Sequence, residues 1–227
     1  MTQVTYLGHS CFLVETGGVK ILFDPFITPN ELAKEINLDS ISCDYIFLSH
    51  GHYDHIADVE HFASKPGCTT VGSFEICTWL EKKGLKSTHS MNLGGEWDFG
   101  FGTVKMVYAA HSNSLPDGTY GGTAAGFVIK TEDICIYYAG DTALTNEMKL
   151  IAERFKPDIA FLPIGSNYTM NAEDAAIASE FIQCNKVIGM HYDTFGWIKI
   201  DHSAAKQTFK NKNTDLILMN IGETRTF

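Results

Sequence analysis

An internal repeat is the feature that most constrains the fold. The segment FLVETGGVKILF (residues 12–23) aligns without gaps on FVIKTEDICIYY (residues 127–138), and Phe, Thr and Ile match at three positions. Each copy has an apolar run, a polar break and a second apolar run, which is the pattern of two strands joined by a turn. The sequence therefore predicts two similar halves, each containing such a hairpin.

The repeat continues beyond the hairpins. The segments DYIFLSH (residues 44–50) and DIAFLPI (residues 158–164) are short and almost wholly apolar, which indicates strands buried on both faces. A helical segment and a further strand follow in each half, and Asn171 is the predicted N-cap of the second helix. We expect one α/β domain of residues 1–227, in which pseudo-halves of about 1–115 and 116–227 pack sheet on sheet with helices outside.

The composition restricts the partners and the compartment. The net charge is −10, from 17 basic and 27 acidic residues, so phosphate backbones are repelled and nucleic acid is a disfavoured partner. The N-terminus lacks a signal-peptide pattern, no apolar run reaches the roughly 18 residues of a membrane helix, and the six cysteines are scattered. We expect a cytoplasmic protein with reduced thiols and no membrane insertion, and a homo-oligomer is left open.

The stretch SHGHYDH concentrates metal-binding side chains. His50, His52, Asp54 and His55 directly follow the predicted strand YIFL, at the strand end where α/β sheets place their sites. Imidazole and carboxylate groups suit zinc, manganese or iron better than calcium or magnesium. His50 and His52 can point the same way in extended backbone, whereas Asp54 and His55 face elsewhere. This arrangement favours two neighbouring metal ions over one.

Three more potential ligands follow predicted strands. They are His111, Asp141 and His191, and taken singly each also fits a packed histidine or a turn aspartate. A carboxylate can bind one ion with each oxygen, so Asp141 is the natural bridge. The predicted partition gives one ion to His50, His52 and His111, the other to Asp54, His55 and His191, and both to Asp141. We expect two divalent ions, zinc or manganese, with a water or hydroxide between them.

A family resemblance covers the whole chain. It is carried by YLGHSCFLVET, ILFDPF, FLSHGHYDHI, HSNSLPDGTYGGTAAGFVI, IYYAGDT, LPIG and MHYDTF. The HxHxDH pattern resembles the metallo-β-lactamase fold superfamily, and the other stretches resemble its small metal-dependent hydrolases related to ascorbate-6-phosphate lactonase. The resemblance implies an αββα four-layer sandwich made of two similar halves, the same partition of ligands, and hydrolase chemistry.

The resemblance also suggests residues around the ligands. It places His9 beside the site or in contact with substrate, although a packed histidine is the alternative. Asp24 ends the first copy of the repeat as Asp141 ends the second, so it is expected to orient a ligand histidine or to cap a strand end. Asn167 and Tyr192 are candidate substrate contacts.

One loop departs from the pattern of the similar proteins. They tend to carry a Gly-His pair near LPIG, where this chain has Ser166 and Asn167. If this loop contacts the substrate, specificity has shifted. The resemblance therefore names no substrate for this chain.

The predicted reaction is hydrolysis by a hydroxide that a binuclear centre holds. Two ions lower the pKa of bound water towards about 7 and polarise the bond under attack. Asp54 would orient the nucleophile and move its proton, with His9 as the second predicted catalytic residue. The substrate is expected to be an ester or lactone of a small molecule.

Other functions remain open at this stage. The same two-metal arrangement serves a phosphodiesterase acting on a small or nucleotide substrate. RNA cleavage is opposed by the net charge and by a length that leaves no room for an inserted domain. Similar diiron redox proteins carry Glu where this chain has His52. A non-catalytic metal-binding or ligand-binding module is the alternative of another class, which the complete set of ligands opposes.

Overall fold

The computed structural model describes all 227 residues and contains two seven-stranded sheets. The first sheet has the spatial order β14 (Thr224–Thr226), β1 (Gln3–Gly8), β2 (Cys11–Thr16), β3 (Val19–Phe23), β4 (Tyr45–Phe47), β5 (Thr69–Ser73) and β6 (Thr88–Met91). The second has the order β13 (Asp215–Ile217), β12 (Lys186–Met190), β11 (Ile159–Pro163), β10 (Cys135–Tyr138), β9 (Ala125–Lys130), β8 (Thr103–Tyr108) and β7 (Glu96–Asp98).

The two sheets have the same topology. In the first, β14, β1, β2 and β3 pair antiparallel, and β3 to β6 pair parallel. In the second, β7 to β10 pair antiparallel and β10 to β13 pair parallel. The hairpins β2–β3 and β9–β10 are the repeated segments of the sequence, so equivalent segments occupy equivalent places in the two sheets.

The chain changes sheets earlier than the repeat suggested. The predicted halves meet at about residues 115 and 116, whereas the last strand of the first sheet ends at Met91 and the second sheet begins at Glu96. Strands β7 and β8 precede the repeated hairpin and belong to the second sheet, while β14 returns to the first. The alignment located the hairpins but did not extend to these flanking strands, of which β7 and β14 lie at the edges of their sheets.

The structure contains six α-helices. They are α1 (Tyr53–Ile56), α2 (Val59–Ala63), α3 (Phe74–Lys82), α4 (Met148–Arg154), α5 (Ala172–Phe181) and α6 (His202–Lys210), with 3-10 helices at Glu31–Ala33, Leu38–Ser40 and Gly196–Ile198. Helices α2 and α3 contact the first sheet, and α5 and α6 contact the second. The predicted αββα sandwich is therefore confirmed. No helix is long and apolar enough to cross a membrane.

The N-terminus of α5 is capped as the sequence predicted. The Asn171 side chain accepts a hydrogen bond from the backbone N–H of Asp174, at 2.8 Å. This bond satisfies one of the amides that a helix start leaves unpaired. It fixes where α5 begins after the loop that follows β11.

Aromatic side chains join the sheets at the centre of the sandwich. The Phe12 and Phe161 rings lie 4.8 Å apart, and the Phe47 and Phe127 rings 5.1 Å apart, with all four side chains fully buried. Each pair takes one ring from each sheet, because alternate strand residues face the partner sheet. A second buried cluster lies between the first sheet and its helices. All six cysteines are free thiols.

The ends of the strands converge at one edge of the sandwich. The connections that leave β4, β10 and β12 carry His50, Asp141 and His191 respectively. Gly165, just after β11, lies so close to the last of these connections that a Cβ atom would approach the His191 carbonyl oxygen to 2.0 Å. Only glycine allows this approach, which fixes the position of His191.

We expect Gly165→Ala to lower the free energy of unfolding by about 1–3 kcal/mol, because backbone atoms would have to move. Gly196→Ala is the matched control, since a Cβ atom there meets nothing within 4 Å. Urea unfolding of both variants measures the difference. Equal stability of the two variants would contradict the packing described for Gly165.

Candidate metal centre

The HxHxDH motif is divided between a loop and one helical turn. His50 and His52 lie in the loop after β4, and α1 begins at Tyr53 and carries Asp54 and His55. The sequence pattern placed the motif at a strand end and did not predict the helical turn. The helical turn separates the directions of Asp54 and His55 by roughly 100°. The motif therefore presents its four side chains to two neighbouring positions.

The first position is surrounded by three histidines. One ring nitrogen from each of His50, His52 and His111 lies within 4.8 Å of the others. His50 Nε2 is 2.9 Å from His52 Nδ1. On the far sides of the rings, Ser49 Oγ lies 2.9 Å from His50 Nδ1, and Ser112 Oγ lies 3.4 Å from His52 Nε2. The rings thus turn His50 Nε2 and His52 Nδ1 towards each other, an arrangement that a shared cation would stabilise.

The second position adjoins the first. It brings Asp54, His55 and His191 together with His9, again with one potential ligand atom of each within 4.8 Å of the others. Asp54 Oδ2 is 3.7 Å from His191 Nε2 and 3.9 Å from His55 Nε2. The predicted partition thus corresponds to two groups of side chains that the fold brings together.

Asp141 lies between the two groups. Its Oδ2 atom is 2.9 Å from His191 Nε2, 3.4 Å from His55 Nε2, 3.6 Å from His111 Nε2 and 4.0 Å from His50 Nε2. One carboxylate oxygen therefore faces histidines of both groups. This is the place that a bridging carboxylate would occupy.

Asp24 lies behind the ligands and is fully buried. Its carboxylate accepts hydrogen bonds from the Ser49 backbone N–H, the Ser49 hydroxyl, His55 Nδ1 and the Tyr138 hydroxyl, at 2.6–2.8 Å. Because His55 donates from Nδ1, Nε2 is the nitrogen that faces the site. Because Ser49 donates to Asp24, its oxygen accepts from His50 Nδ1, which frees His50 Nε2 in the same way.

His9 is buried beside Asp54 at the second position. Its Nε2 is 3.1 Å from Asp54 Oδ2, and its Nδ1 is 2.9 Å from Thr194 Oγ1. Its ring lies 4.1 Å from the His191 ring, centroid to centroid. His9 therefore connects the Asp54 carboxylate to the loop that follows β12.

Burial keeps three of the histidines neutral. It lowers the pKa of His50 well below its ordinary value, with the charge on His55 adding to the effect. Burial likewise lowers the pKa of His52 and of His111. Neutral imidazole is the form that binds a metal.

At the second position, nearby carboxylates raise the pKa of the histidines instead of letting burial lower it. Burial acts to lower the pKa of His55 and His191, but the charges of Asp141 and Asp54 outweigh it. The pKa of His55 is raised well above its ordinary value, and the pKa of His191 is raised to about 9. Burial acts to raise the pKa of Asp141 and Asp54, but the histidines hold both well below the usual range. The second position thus has a strong demand for positive charge, which protons or a metal ion can meet.

Two buried atoms test whether the residues fit a metal. His55 Nε2 and Asp141 Oδ1 have no hydrogen bond of normal geometry, and both are shielded from solvent. Buried polar atoms without partners are uncommon in folded proteins and require an explanation. Both belong to residues of this cluster of imidazoles and carboxylates, a donor set that suits zinc, manganese or iron. The residues fit a divalent metal centre.

A cavity of about 530 Å³ opens over the cluster. It is lined by His52, Asp54, His111, Ser112, Asp141, Tyr168, His191, Phe195 and Trp197. The two candidate substrate contacts from the sequence lie elsewhere. Tyr192 is buried, with its ring 5.5 Å from His202, and Asn167 is exposed and is not among the lining residues. Tyr168, next to Asn167, lines the cavity instead.

Several residues of the site were not found from the sequence. Ser49 and Thr194 lie within the motif stretches SHGHYDH and MHYDTF, so adjacency to the ligands was the available signal. Tyr138 ends a repeated strand and gave no signal of its own. Phe195 and Trp197 belong to a loop whose direction depends on the left-handed backbone at His191 and Asp193, with φ values of 57° and 63°.

Comparisons with known proteins agree with this geometry. A family model described as the β-lactamase superfamily domain matches residues 3–191. A UPF0173 metal-dependent hydrolase of Christiangramia forsetii is 51% identical over 223 residues, and another of Flavobacterium johnsoniae is 51% identical over 222 residues, each with 98% of both chains covered.

A solved structure gives the same result. Igni18, a metallo hydrolase from the archaeon Ignicoccus hospitalis, is 34% identical and matches with a TM-score of 0.91, covering 100% of this chain and 99% of its own. The family model spans most of the chain, and the relatives match it nearly end to end. The chain therefore belongs to the β-lactamase superfamily and is a metal-dependent hydrolase with the metallo-β-lactamase fold.

Proposed function

We propose that the protein hydrolyses an ester or lactone of a small, uncharged molecule at a binuclear metal centre. The observation that carries the bond type is the lining of the cavity, which contains no lysine or arginine. Besides any metal ions, sites that bind phosphate groups commonly use such cations to hold the negative charge. A carboxylic ester needs none, so the lining favours an ester over a phosphodiester.

Seven side chains would hold two divalent ions, of which zinc and manganese are the best candidates. One position would be formed by His50, His52 and His111, the other by Asp54, His55 and His191, with Asp141 shared between them. The convergence of Nε2 and Oδ2 atoms on Asp141 supports the sharing. When bound, such ions lower the pKa of water and polarise a carbonyl group.

Asp54 and His9 would position the reacting water. Asp54 is the most exposed of the three carboxylates, with 26% of its side chain accessible, and it lines the cavity. His9 holds its Oδ2 atom, so the carboxylate keeps one orientation. The other oxygen is left to orient water and to accept its proton. Burial lowers the pKa of His9 to about 4, helped by His191, so His9 acts as a neutral hydrogen-bond partner.

Metal content tests the two-ion proposal directly. We expect about two first-row metal ions per chain by elemental analysis of protein purified without chelators or a histidine tag. His52→Ala and His191→Ala should each retain about one ion, because each removes a ligand from a different position. His89→Ala is the control, since His89 lies on β6 beside Phe99, away from the site. One ion in the unaltered protein would refute the binuclear centre.

Substrate preference tests the bond type. In metal-loaded protein we expect turnover of p-nitrophenyl acetate to exceed that of bis(p-nitrophenyl) phosphate. Asp54→Asn should reduce it by about 10²–10⁴-fold, as for the loss of a general base. Asp39→Asn, at an exposed carboxylate far from the motif, should have no effect. Cleavage of the phosphodiester alone would overturn the ester assignment, and unchanged turnover in Asp54→Asn would overturn the role of Asp54.

Metal binding should release protons at pH 7. In the metal-free protein the pKa of His55 is raised well above its ordinary value and that of His191 is raised to about 9, so both rings carry a proton at pH 7 that a metal must displace. Apparent affinity should therefore rise as the pH is raised from 7 towards 9, where His191 loses its proton. Titration calorimetry in two buffers of different ionisation enthalpy counts the protons. The same binding enthalpy in both buffers at pH 7 would mean that these histidines are already neutral.

A further inference from the structure

We propose that the substrate carries a flat apolar ring, which Tyr168 and Trp197 bind at the mouth of the cavity. This inference rests on the proposed ester hydrolysis and names the class of molecule that the site accepts: a small, uncharged ester with an aromatic group. Three aromatic rings line one cavity together with the metal-binding side chains. They come from two neighbouring connections, the loop between β11 and α5 and the loop between β12 and α6.

The three aromatic rings differ in their packing contacts and in their exposure to solvent. Phe195 packs inward, with its ring 5.4 Å from His9 and 6.2 Å from Phe26. Tyr168 and Trp197 contact no other aromatic ring, and they are 55% and 79% exposed. Leaving large apolar rings in water forgoes the favourable free energy of burial. Phe195, which is 37% exposed, therefore packs largely against the protein, whereas Tyr168 and Trp197 leave more than half of their surface uncovered.

The backbone holds Tyr168 outward. Ser166 and Asn167 both have left-handed conformations, with φ values of 63° and 57°, which non-glycine residues rarely adopt in succession. The loop is fixed at both ends, because the Ser166 N–H bonds to the Met170 carbonyl and the Met170 N–H bonds to the Thr142 carbonyl. A conformation of this kind persists only where the surroundings impose it. It directs the Tyr168 ring to the cavity and away from the core.

Charge and size narrow the ligand further. Apart from the metal-binding residues, the lining consists of Ser112 and the three aromatic residues, so nothing there pairs with a charged substituent. A cavity of about 530 Å³ lies within the range of small-molecule sites. Aromatic walls with few polar groups bind planar apolar groups by stacking and by burial of surface. An uncharged ester with an aromatic ring matches all of these properties.

The test compares benzyl acetate with ethyl acetate in zinc-loaded protein, with acid release followed in a pH-stat. The two alcohols are similar leaving groups, and only the first substrate has a ring. We expect kcat/KM to be about tenfold higher for benzyl acetate, equivalent to about 1.4 kcal/mol of additional binding. Tyr168→Ala and Trp197→Ala should each reduce that ratio several-fold. Trp97→Ala should leave it unchanged, because Trp97 is exposed on β7, outside the cavity.

Binding of 4-nitrobenzyl alcohol, measured by calorimetry, separates this inference from the proposed reaction. Saturable binding that Trp197→Ala weakens about tenfold and Trp97→Ala does not would support the ring site, even if no ester is cleaved. Hydrolysis of both esters at equal rates, with no binding of the alcohol, would overturn the ring site and leave ester hydrolysis standing. Binding that is equal in Trp197→Ala and in the unaltered protein would also overturn it.

Discussion

The metal centre depends on the hydrogen bonds that the buried Asp24 carboxylate accepts. A carboxylate without exposed surface is stable only if donors replace its lost hydration, and here four donors do so. Three of them belong to Ser49 and His55, and the fourth is Tyr138 of the other sheet. One charge therefore joins the two sheets and also decides which nitrogen of each neighbouring histidine faces the metal position.

The cavity has charged side chains at its base and aromatic side chains at its opening. At the base of the cavity, the Asp141 carboxylate lies close to histidines of both groups. Positive charge on protons or metal ions stabilises this buried carboxylate among the imidazole rings. At the mouth, Tyr168 and Trp197 offer apolar surface without any cation. The metal-binding side chains at the base suit hydrolysis in general, and the relatives described above are also named metal-dependent hydrolases. The mouth is where this chain would select its substrate.

Patterns of residue type predicted the repeated hairpins, the strand ends and the seven clustered side chains, because each depends on local sequence. The boundary between the two halves was predicted at the wrong residues. Strands β7 and β14 are short, and they form because neighbouring strands pair with them and not because of a pattern in their own sequence. The cavity mouth escaped prediction for another reason. Left-handed backbone at His191 and Asp193 reverses the loop, so Tyr192 enters the core and Phe195 reaches the cavity.

The matching topology of the two sheets gives each structural position a counterpart. Asp24 follows β3 and Asp141 follows β10, which are equivalent strands, yet one carboxylate supports the histidines from behind and the other faces them from the cavity. The gapless alignment pairs Asp24 with Ala139, so the two aspartates stand at different positions of the repeat. A nearly symmetric framework thus carries an asymmetric site, and neither half holds a complete site without the other.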